Sequence, residues 1–211
     1  MTNRRKNVEG YHTFADLQKP FSFTDMFGNE NPVELEIGAG RGDFLVGYCA
    51  EHPGINLAAV ERKLAYLARG INKARNSGLE NVQFLNVEVR HFLEEYCPPV
   101  SLQAVHIYFP DPWPKKRHIK RRLIQLPFIQ LLAEKIIPDG SLHLRTDHVK
   151  YFEQMMEVMG AQTLFTPIPT PDAVSRHKTG FERRFTEMGI PGNYASYKLS
   201  NPPTSEIQKK S

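Results

Sequence analysis

Carboxylates recur along the chain at the points where short apolar runs end. Glu36 lies near the end of one run, Glu61 directly follows a second, and Asp111 and Asp147 follow two later ones. A carboxylate can pair with a cationic ligand, accept hydrogen bonds from ribose hydroxyls or stabilise a developing positive charge. These four acids are therefore the first candidates for a site that takes a nucleotide-like ligand.

A glycine-rich loop follows Glu36. Gly38 and Gly40 permit a tight turn and a close approach of the backbone to a ligand. Loops of this kind hold the pyrophosphate of dinucleotides, which the carboxylate of Glu36 would repel. The same carboxylate can pair with the cationic amino-acid part of S-adenosylmethionine. The alternative is a tight turn with a purely structural role.

Two further acids stand where a nucleoside would lie. Glu61 follows the glycine loop by roughly 20 residues, where an acid can bind both ribose hydroxyls of NAD or of S-adenosylmethionine. Glu88 can reach an adenine edge. Each has a structural alternative, because Glu61 can be a solvated acid at a strand end and Glu88 an ordinary acid in the first turn of a helix.

The most specific segment is the loop of residues 109–114, FPDPWP. Proline restricts its own backbone and that of the preceding residue, so this loop would hold Asp111 in a fixed place. Trp113, the only tryptophan, can offer a stacking face to a base. The alternative is a rigid connector whose tryptophan packs in the core.

A basic segment follows at residues 115–122, KKRHIKRR, where every residue except Ile119 is lysine, arginine or histidine. An unbroken run of like charges repels itself unless a polyanion is present, so phosphate contacts are expected, with a solvated basic face as the alternative. The candidate phosphate contacts are Arg117, His118, Lys120, Arg121 and Arg122.

Two later segments combine a candidate site with a local structural role. Asp147 is either an acid of the cleft or the N-cap of a helix that begins near His148. Thr179 and Glu182 have the spacing of a capping box for a helix over residues 181–188. A cap of this kind would also fix the positions of the residues between them.

The elements that must position these residues alternate along the chain. Apolar runs predict strands at 33–37, 57–60, 82–85, 104–109 and 141–145. Helices are predicted at 43–51, 62–76, 89–96, 119–136 and 148–159, with a kink or break at Pro127. This alternation predicts an α/β fold, with a parallel sheet and helices on both faces. Because ligands bind outside the carboxyl ends of such strands, the acids should meet at one edge.

Composition limits the class of protein. The 211 residues suit one domain, and 40% hydrophobic and 24% charged residues are typical of a soluble globular chain. No apolar run has the length of a membrane span, and the basic start lacks the apolar stretch of a signal peptide. Two cysteines in unrelated contexts indicate neither a disulfide framework nor a metal cluster, so we expect a cytoplasmic protein. The net charge of +4 favours a polyanionic partner.

The chain divides into three parts. Residues 1–32 are predicted to form a partly mobile N-terminal arm, residues 33–200 a single domain and residues 201–211 a C-terminal tail. Four aromatic residues should pin part of the arm to the body: Phe14, Phe21, Phe23 and Phe27.

Taken together, these segments resemble the tRNA (guanine-N7-)-methyltransferase family. The resemblance runs from about residue 33 to residue 197 and rests on residues 35–42, 60–61, 109–118, 121–122, 146–147 and 179–182. It implies a Rossmann-like class I S-adenosylmethionine-dependent methyltransferase fold with a mostly parallel sheet flanked by helices. It also implies S-adenosylmethionine as the cofactor, tRNA as the partner and methylation of a guanine N7 in the tRNA variable loop.

The resemblance further implies roles for individual residues. The implied cofactor contacts are Glu36, Gly38, Gly40, Glu61, Glu88 and Asp111. The implied substrate contacts are Lys115, Asp147, Thr179, Gly180, Phe181 and Glu182. The resemblance also implies that residues 117–122 contact the RNA. Asp111 and Asp147 are the catalytic candidates, because methylation leaves positive charge on the purine. The family more often has aspartate where this chain has Glu88.

Several alternatives stay open. Guanine N7 carries a lone pair and no proton, so we expect neither a general base nor a metal, and the protein can act as a monomer or a homodimer. A non-catalytic RNA-binding module would keep the basic segment without needing the cleft acids. A nucleotide-dependent oxidoreductase fits the glycine loop and Glu61 but leaves the proline loop unexplained. A methyltransferase for an exocyclic amino group is the third alternative.

Overall fold

A computed structural model describes residues 10–203 of the chain. In chain order the elements are α1 (Phe23–Phe27), β1 (Val33–Ile37), α2 (Asp43–Glu51), β2 (Asn56–Val60), α3 (Leu64–Asn76), β3 (Val82–Leu85), α4 (Val89–Glu95), β4 (Leu102–Tyr108), a 3-10 helix (Lys116–Arg121), α5 (Leu126–Lys135), β5 (Ile136–Thr146), α6 (Val149–Gly160), β6 (Phe165–Ile168), α7 (Asp172–Ser175), α8 (Gly180–Glu187) and β7 (Asn193–Leu199). Within residues 10–203, no helix is long and apolar enough to cross a membrane.

The strands form one sheet in the order β3-β2-β1-β4-β5-β7-β6. The strands β1 to β5 pair in parallel, whereas β7 runs antiparallel to both of its neighbours. The predicted mostly parallel sheet is therefore confirmed. Because β4 pairs with β1 and not with β3, the order of the strands reverses between β1 and β4. In sheets of this kind the ligand crevice lies at that reversal, outside the carboxyl ends of the strands.

The core lies on both faces of the sheet, since β1 and β2 are buried at every position. On one face, α4, α5 and α6 pack through large side chains such as Phe92, Phe128 and Tyr151. On the other face, α2 and α3 contribute Phe44 and Leu67. Helices thus cover both faces, as a buried parallel sheet requires.

The helix predicted over residues 119–136 is not continuous, so its predicted start is wrong, whereas the predicted alternative of a break near Pro127 is confirmed. The basic residues form a 3-10 helix that ends at Arg121, and α5 begins only at Leu126. Pro127 lies in the first turn of α5, where the missing N–H removes no helical hydrogen bond. The proline therefore begins this helix instead of kinking it.

The described part of the arm is attached to the body. Phe23 is buried, and Phe14, Phe21 and Phe27 pack partly buried against the core, which confirms the predicted aromatic contacts. The backbone of His12 bridges to β3, with its N–H donating to the carbonyl of Phe84 (2.8 Å). Residues 1–9 of the arm and 204–211 of the predicted tail lie outside the described residues. The predicted mobility of the arm therefore stays a prediction.

Candidate active site

A cavity of about 800 Å³ opens at the carboxyl ends of β1 to β4, at the point where the strand order reverses. Its wall consists of the segments that follow these strands, closed on one side by the start of α8. The predicted site residues in this wall are Glu36, Gly38, Gly40, Glu61, Glu88, Asp111, Arg121, Thr179, Gly180 and Phe181. The structure therefore brings together most of the predicted site, from six separate parts of the chain.

The glycine loop is fixed by its backbone and by close packing. The N–H of Gly38 donates to the carbonyl of Val60 (2.8 Å), which ties the loop to the end of β2. Gly42 has a φ of 71°, and a Cβ there would lie 3.0 Å from the Cα of Gly70. Only glycine suits this position, because the loop approaches the backbone of α3 so closely.

Glu36 is a buried acid with an unsatisfied oxygen. Its residue is 2% exposed, and its Oε2 has no hydrogen-bond partner within residues 10–203. Burial raises the pKa of this carboxyl from 4.5 to about 8, and Arg145 opposes the shift while Asp43 and Glu61 add to it. An unpartnered carboxylate oxygen is costly in a cavity wall unless a cation arrives. The site therefore fits the ammonium group of an amino-acid ligand.

Glu61 lies directly against the same loop in the cavity wall. Its Oε2 accepts the N–H of Gly40 (3.0 Å), and its Oε1 accepts the N–H of Lys63 (2.7 Å). These bonds orient the carboxylate, and each oxygen keeps a second lone pair that can accept from a ribose hydroxyl. The acid at the strand end is therefore held in place and not merely solvated.

Glu88 is an N-cap and a wall residue at the same time. Its side chain accepts the N–H of His91 (2.9 Å) at the start of α4, and the residue also lines the cavity. Glu88 therefore has a structural role at the start of α4, as the N-cap and not as an acid within the first turn. Its proposed contact with adenine stays a prediction.

The proline loop carries backbone strain at the cavity mouth. Phe109 and Trp113 have φ values of 49° and 41°, a left-handed conformation that bulky residues rarely adopt. Such strain persists where the surroundings fix the chain, and here Nε of Arg122 donates to the carbonyl of Pro112 (2.8 Å). Asp111 is exposed within this rigid loop and lines the cavity.

Trp113 lies at the same cavity mouth, half-buried in its wall. The guanidinium of Arg121 lies 5.1 Å from its ring centroid, and the ring of His118 meets it edge-on at 5.7 Å. An aromatic face beside cations is the combination that binds an unstacked base and its phosphate. The tryptophan is therefore not a core residue of a simple connector.

The predicted capping box is confirmed at the start of α8. Oγ1 of Thr179 accepts the N–H of Glu182 (3.1 Å), and Oε2 of Glu182 accepts the N–H of Thr179 (3.3 Å). Thr179, Gly180 and Phe181 face the cavity, whereas Glu182 lies behind them and is 2% exposed.

Besides Glu182, two more of the predicted substrate contacts lie outside the cavity wall. Lys115 is exposed just before the 3-10 helix. Asp147 follows β5, but the N-cap of α6 is His148, whose Nδ1 accepts the N–H of Tyr151 (3.2 Å). The interpretation of Asp147 as an N-cap is therefore wrong. Its carboxylate accepts no hydrogen bond from any residue in the described range, which leaves it available to a ligand.

The basic segment divides into a surface part and a buried residue. Arg117, Lys120 and Arg121 are exposed, and His118 is half-buried. Arg122 is 4% exposed, and its guanidinium lies 4.7 Å from the ring centroid of Tyr151. The structure thus does not bring Arg122 to the surface with the others.

The sequence predictions missed several residues around the cavity. Arg145 lies behind it with 1% exposure, and Asp43 and Arg184 form part of its wall. The signal that could have indicated Arg145 is an arginine near the end of an otherwise apolar strand. Within residues 10–203, no group of three histidine, cysteine or acidic side chains can hold a metal ion. The metal-free reaction stays a prediction.

Comparison with known proteins identifies the family. The profile of the family described as "Putative methyltransferase" matches residues 30–193. Over 176 residues the chain is 38% identical to the tRNA (guanine-N(7)-)-methyltransferase of Bordetella pertussis, an alignment that covers 81% of this chain and 68% of that protein. This chain belongs to the tRNA (guanine-N7-)-methyltransferase family.

A second relative and a solved structure agree with this membership. The chain is 37% identical over 183 residues to the tRNA (guanine-N(7)-)-methyltransferase of Halorhodospira halophila, which covers 82% of this chain and 78% of that protein. The crystal structure of 16S rRNA methyltransferase KamB shares the fold, with a TM-score of 0.61 and 14% identity over 89% of this chain and 98% of that one. The predicted family, the Rossmann-like methyltransferase fold and the S-adenosylmethionine cofactor are confirmed.

Proposed function

We propose that this chain transfers a methyl group from S-adenosylmethionine to N7 of a guanine in the variable loop of tRNA. The observation that carries this proposal is the meeting of Glu36, Glu61 and Asp111 with the Thr179–Phe181 wall in one cavity. The acids suit a cationic nucleoside cofactor, and the wall opposite them leaves room for a base. Membership of the family supplies the reaction that such a cavity performs.

The cofactor contacts follow from the charges in the wall. The unpartnered Oε2 of Glu36 would accept from the ammonium group of S-adenosylmethionine. Glu61 would bind the ribose hydroxyls, and Glu88 lies on the side of the wall where the adenine would extend. A dinucleotide is disfavoured because a pyrophosphate on the glycine loop would face the carboxylate of Glu36.

Methyl transfer to N7 depends mainly on how the protein positions the methyl donor and the guanine. When bound, S-adenosylmethionine supplies an electrophilic methyl group, whose bond to sulfur breaks as the bond to N7 forms, with the electron pair remaining on sulfur. Guanine N7 has an in-plane lone pair and no proton, so no side chain has to remove one. The residues of the cavity therefore act by aligning the two reactants, an effect of proximity and orientation.

Two carboxylates can favour the positive charge that develops on the purine. Asp111 is held at the cavity mouth by the rigid proline loop, and Asp147 lies beyond the wall with a carboxylate free of hydrogen bonds to described residues. Fixed negative charge near a developing cation stabilises the transition state without reorganisation. We assign the catalytic role to these two acids, with Lys115 and the residues Thr179, Gly180 and Phe181 positioning the guanosine.

The exposed basic residues would bind the RNA backbone. Arg117, Lys120 and Arg121 lie on the surface of the 3-10 helix, and Arg121 also reaches the cavity wall beside Trp113. Phosphate contacts at this edge would bring the target nucleotide to the cavity mouth. A tRNA substrate also implies a cytoplasmic protein, which can act as a monomer or a homodimer.

One experiment tests the proposed function. The purified protein is incubated with an unmodified tRNA transcript and methyl-labelled S-adenosylmethionine, and the RNA is digested to nucleosides. We expect the label in 7-methylguanosine. Label in a guanosine methylated on its exocyclic amino group would contradict the proposed target atom. Binding of both ligands without any transfer would instead indicate a non-catalytic RNA-binding module.

A further inference from the structure

A cluster of three side chains lies directly behind the Thr179–Phe181 wall: Arg145 and Glu182 are buried, and Tyr194 is half-buried. Glu182 is 2% exposed and Arg145 is 1% exposed, and both oxygens of the glutamate are engaged. Oε2 accepts from Nη1 of Arg145 (3.1 Å) and from the N–H of Thr179 (3.3 Å), and Oε1 accepts the hydroxyl of Tyr194. These donors come from β5, the start of α8 and β7, so the carboxylate joins three elements.

Arg145 extends this cluster to the segment that precedes α8. Its Nη1 also donates to the carbonyl of His177 (2.9 Å), and its Nη2 donates to the carbonyl of Val174. The guanidinium lies 4.0 Å from the ring centroid of Tyr108, which is itself part of the cavity wall. One buried cation therefore fixes both the end of α7 and the start of α8 against the sheet.

The opposite side of the wall is fixed as well. A Cβ added to Gly180 would lie 2.5 Å from Oδ2 of Asp43, so this carboxylate packs directly against the glycine. Asp43 is held by Lys73 and by Nη2 of Arg183 (3.0 Å). The wall is thus confined between Asp43 on one side and the cluster on the other.

We propose that Arg145 and Tyr194 are positioning residues, and that Glu182 supports the reaction through the wall it holds and not by touching the guanine. This proposal rests on the proposed function. Glu182 lies outside the cavity wall, and each of its oxygens already accepts from a fixed donor. For a direct contact with a base, this 2% exposed carboxylate would have to move out from behind the wall, and its hydrogen bonds to Arg145 and Tyr194 would then break, which is unfavourable in a desolvated site.

The hydroxyl of Tyr194 gives the sharpest test, because Tyr194→Phe removes one hydrogen bond and keeps the ring. The matched control is Tyr197→Phe on the same strand, whose hydroxyl donates to Sδ of Met156 (3.4 Å) away from the cavity. We expect Tyr194→Phe to lower kcat/KM for tRNA about tenfold, since the buried carboxylate is left without one of its donors. The control should keep wild-type kinetics, and both variants should keep the wild-type Kd for S-adenosylmethionine.

A second variant separates positioning from contact. Glu182→Gln should lower kcat/KM for tRNA about a hundredfold, because a wall displaced by about 1 Å misplaces the base. The double variant of Tyr194 and Glu182 should be no worse than Glu182→Gln alone, since both changes disrupt one cluster. Full turnover of Tyr194→Phe beside an inactive Glu182→Gln would overturn the proposal and indicate direct contact with the guanine.

Hydrogen exchange gives a readout that needs no turnover. The backbone amides of residues 179–187 should exchange faster in Tyr194→Phe than in the wild type or in Tyr197→Phe. Unchanged exchange in Tyr194→Phe would overturn the positioning role even if turnover fell. If the wild type methylates a different nucleoside, the proposed function fails while the exchange measurement still decides the positioning role.

Discussion

The protonation state of Glu36 links its burial to cofactor binding. Burial raises the pKa of this carboxyl to about 8, so it is mostly neutral in the free protein at pH 7. A bound cation favours the charged form of a neighbouring acid. Binding of S-adenosylmethionine at this site must therefore displace the proton, and affinity should rise with pH until the carboxyl is ionised.

We accordingly expect the Kd for S-adenosylmethionine to fall as pH is raised toward about 8 and then to level off, in step with the pKa of Glu36. Calorimetry in two buffers of different ionisation enthalpy measures the released proton directly. Glutamine has no proton to release at this pH, so the Glu36→Gln variant should bind S-adenosylmethionine more weakly. The pH dependence of its Kd should then reflect only the titration of S-adenosylmethionine itself. An identical pH dependence in the variant would remove Glu36 from the cofactor site.

Asp147 is the residue whose replacement should affect chemistry most selectively. Its carboxylate accepts no hydrogen bond from described residues, so Asp147→Ala disrupts little of the fold. We expect turnover to fall about a hundredfold because the charge stabilisation is removed, while the Kd for S-adenosylmethionine stays unchanged. Asp139→Ala is the control, because this exposed acid pairs with Lys198 at the other end of β5. Normal turnover of Asp147→Ala would exclude the catalytic role.

At the scale of elements, the basic segment contains residues with two different expected roles, in tRNA binding and in the stability of the fold. Lys120 and Arg121 are exposed on the 3-10 helix, whereas Arg122 donates to the carbonyl of Pro112 and to Oε1 of Gln154. Replacing Lys120 and Arg121 by glutamine should weaken tRNA binding and reduce the salt slope by roughly one for each phosphate that the variant no longer neutralises. A plot of the tRNA dissociation constant against salt concentration measures this slope.

Arg122→Gln serves as the comparison within the same segment. Because its guanidinium is buried, the substitution should lower the free energy of unfolding by about 1–3 kcal/mol, as measured by urea denaturation. For the Arg122→Gln protein that is folded, the salt dependence of tRNA binding should change less than in the variant with glutamine at Lys120 and Arg121. The reverse pattern, with a stable Arg122→Gln protein whose tRNA binding no longer depends on salt, would place Arg122 among the RNA contacts.

The strands that were predicted well from the sequence are those without turn residues or proline inside them. The bounds of β1 and β3 agree with the predicted strands, because each is a short run rich in branched or aromatic apolar residues between turn residues. The prediction for β5 was too short, since Asp139 and Gly140 are typical of turns but form a bulge within the strand. The sequence did not reveal β6, whose Pro167 argues against a strand unless it lies at an edge.

In the candidate site, too, the residues at strand ends were predictable from the sequence, and the residues brought together by tertiary packing were not. Acids at strand ends were predictable, because parallel strands deliver their ends to one edge of the sheet. The cluster of Arg145, Glu182 and Tyr194 was not, because its members come from β5, α8 and β7, and only tertiary packing brings them together. The burial of Arg122 escaped prediction for a similar reason, since its partners lie on α6 and in the proline loop.

At the scale of the whole molecule, one sheet serves both ligands. The reversal of strand order opens the cavity between β1 and β4, and its wall includes Glu36, Glu61 and Glu88, the proposed cofactor contacts from the ends of the first three strands. The antiparallel strand β7 then supplies Tyr194, which supports the wall on the substrate side through Glu182. In the proposed arrangement, the donor and the acceptor of the methyl group would lie on opposite sides of the same cavity.

The identity of the attacked atom is the central claim, and 7-deazaguanosine tests it most directly. This nucleoside has a C–H group in place of N7 and keeps the base-pairing edge of guanosine. Two tRNA transcripts, one with guanosine and one with 7-deazaguanosine throughout, are compared for binding and for transfer of a labelled methyl group. We expect both transcripts to bind and only the guanosine transcript to be methylated. Equal methylation of the 7-deazaguanosine transcript would contradict transfer to N7.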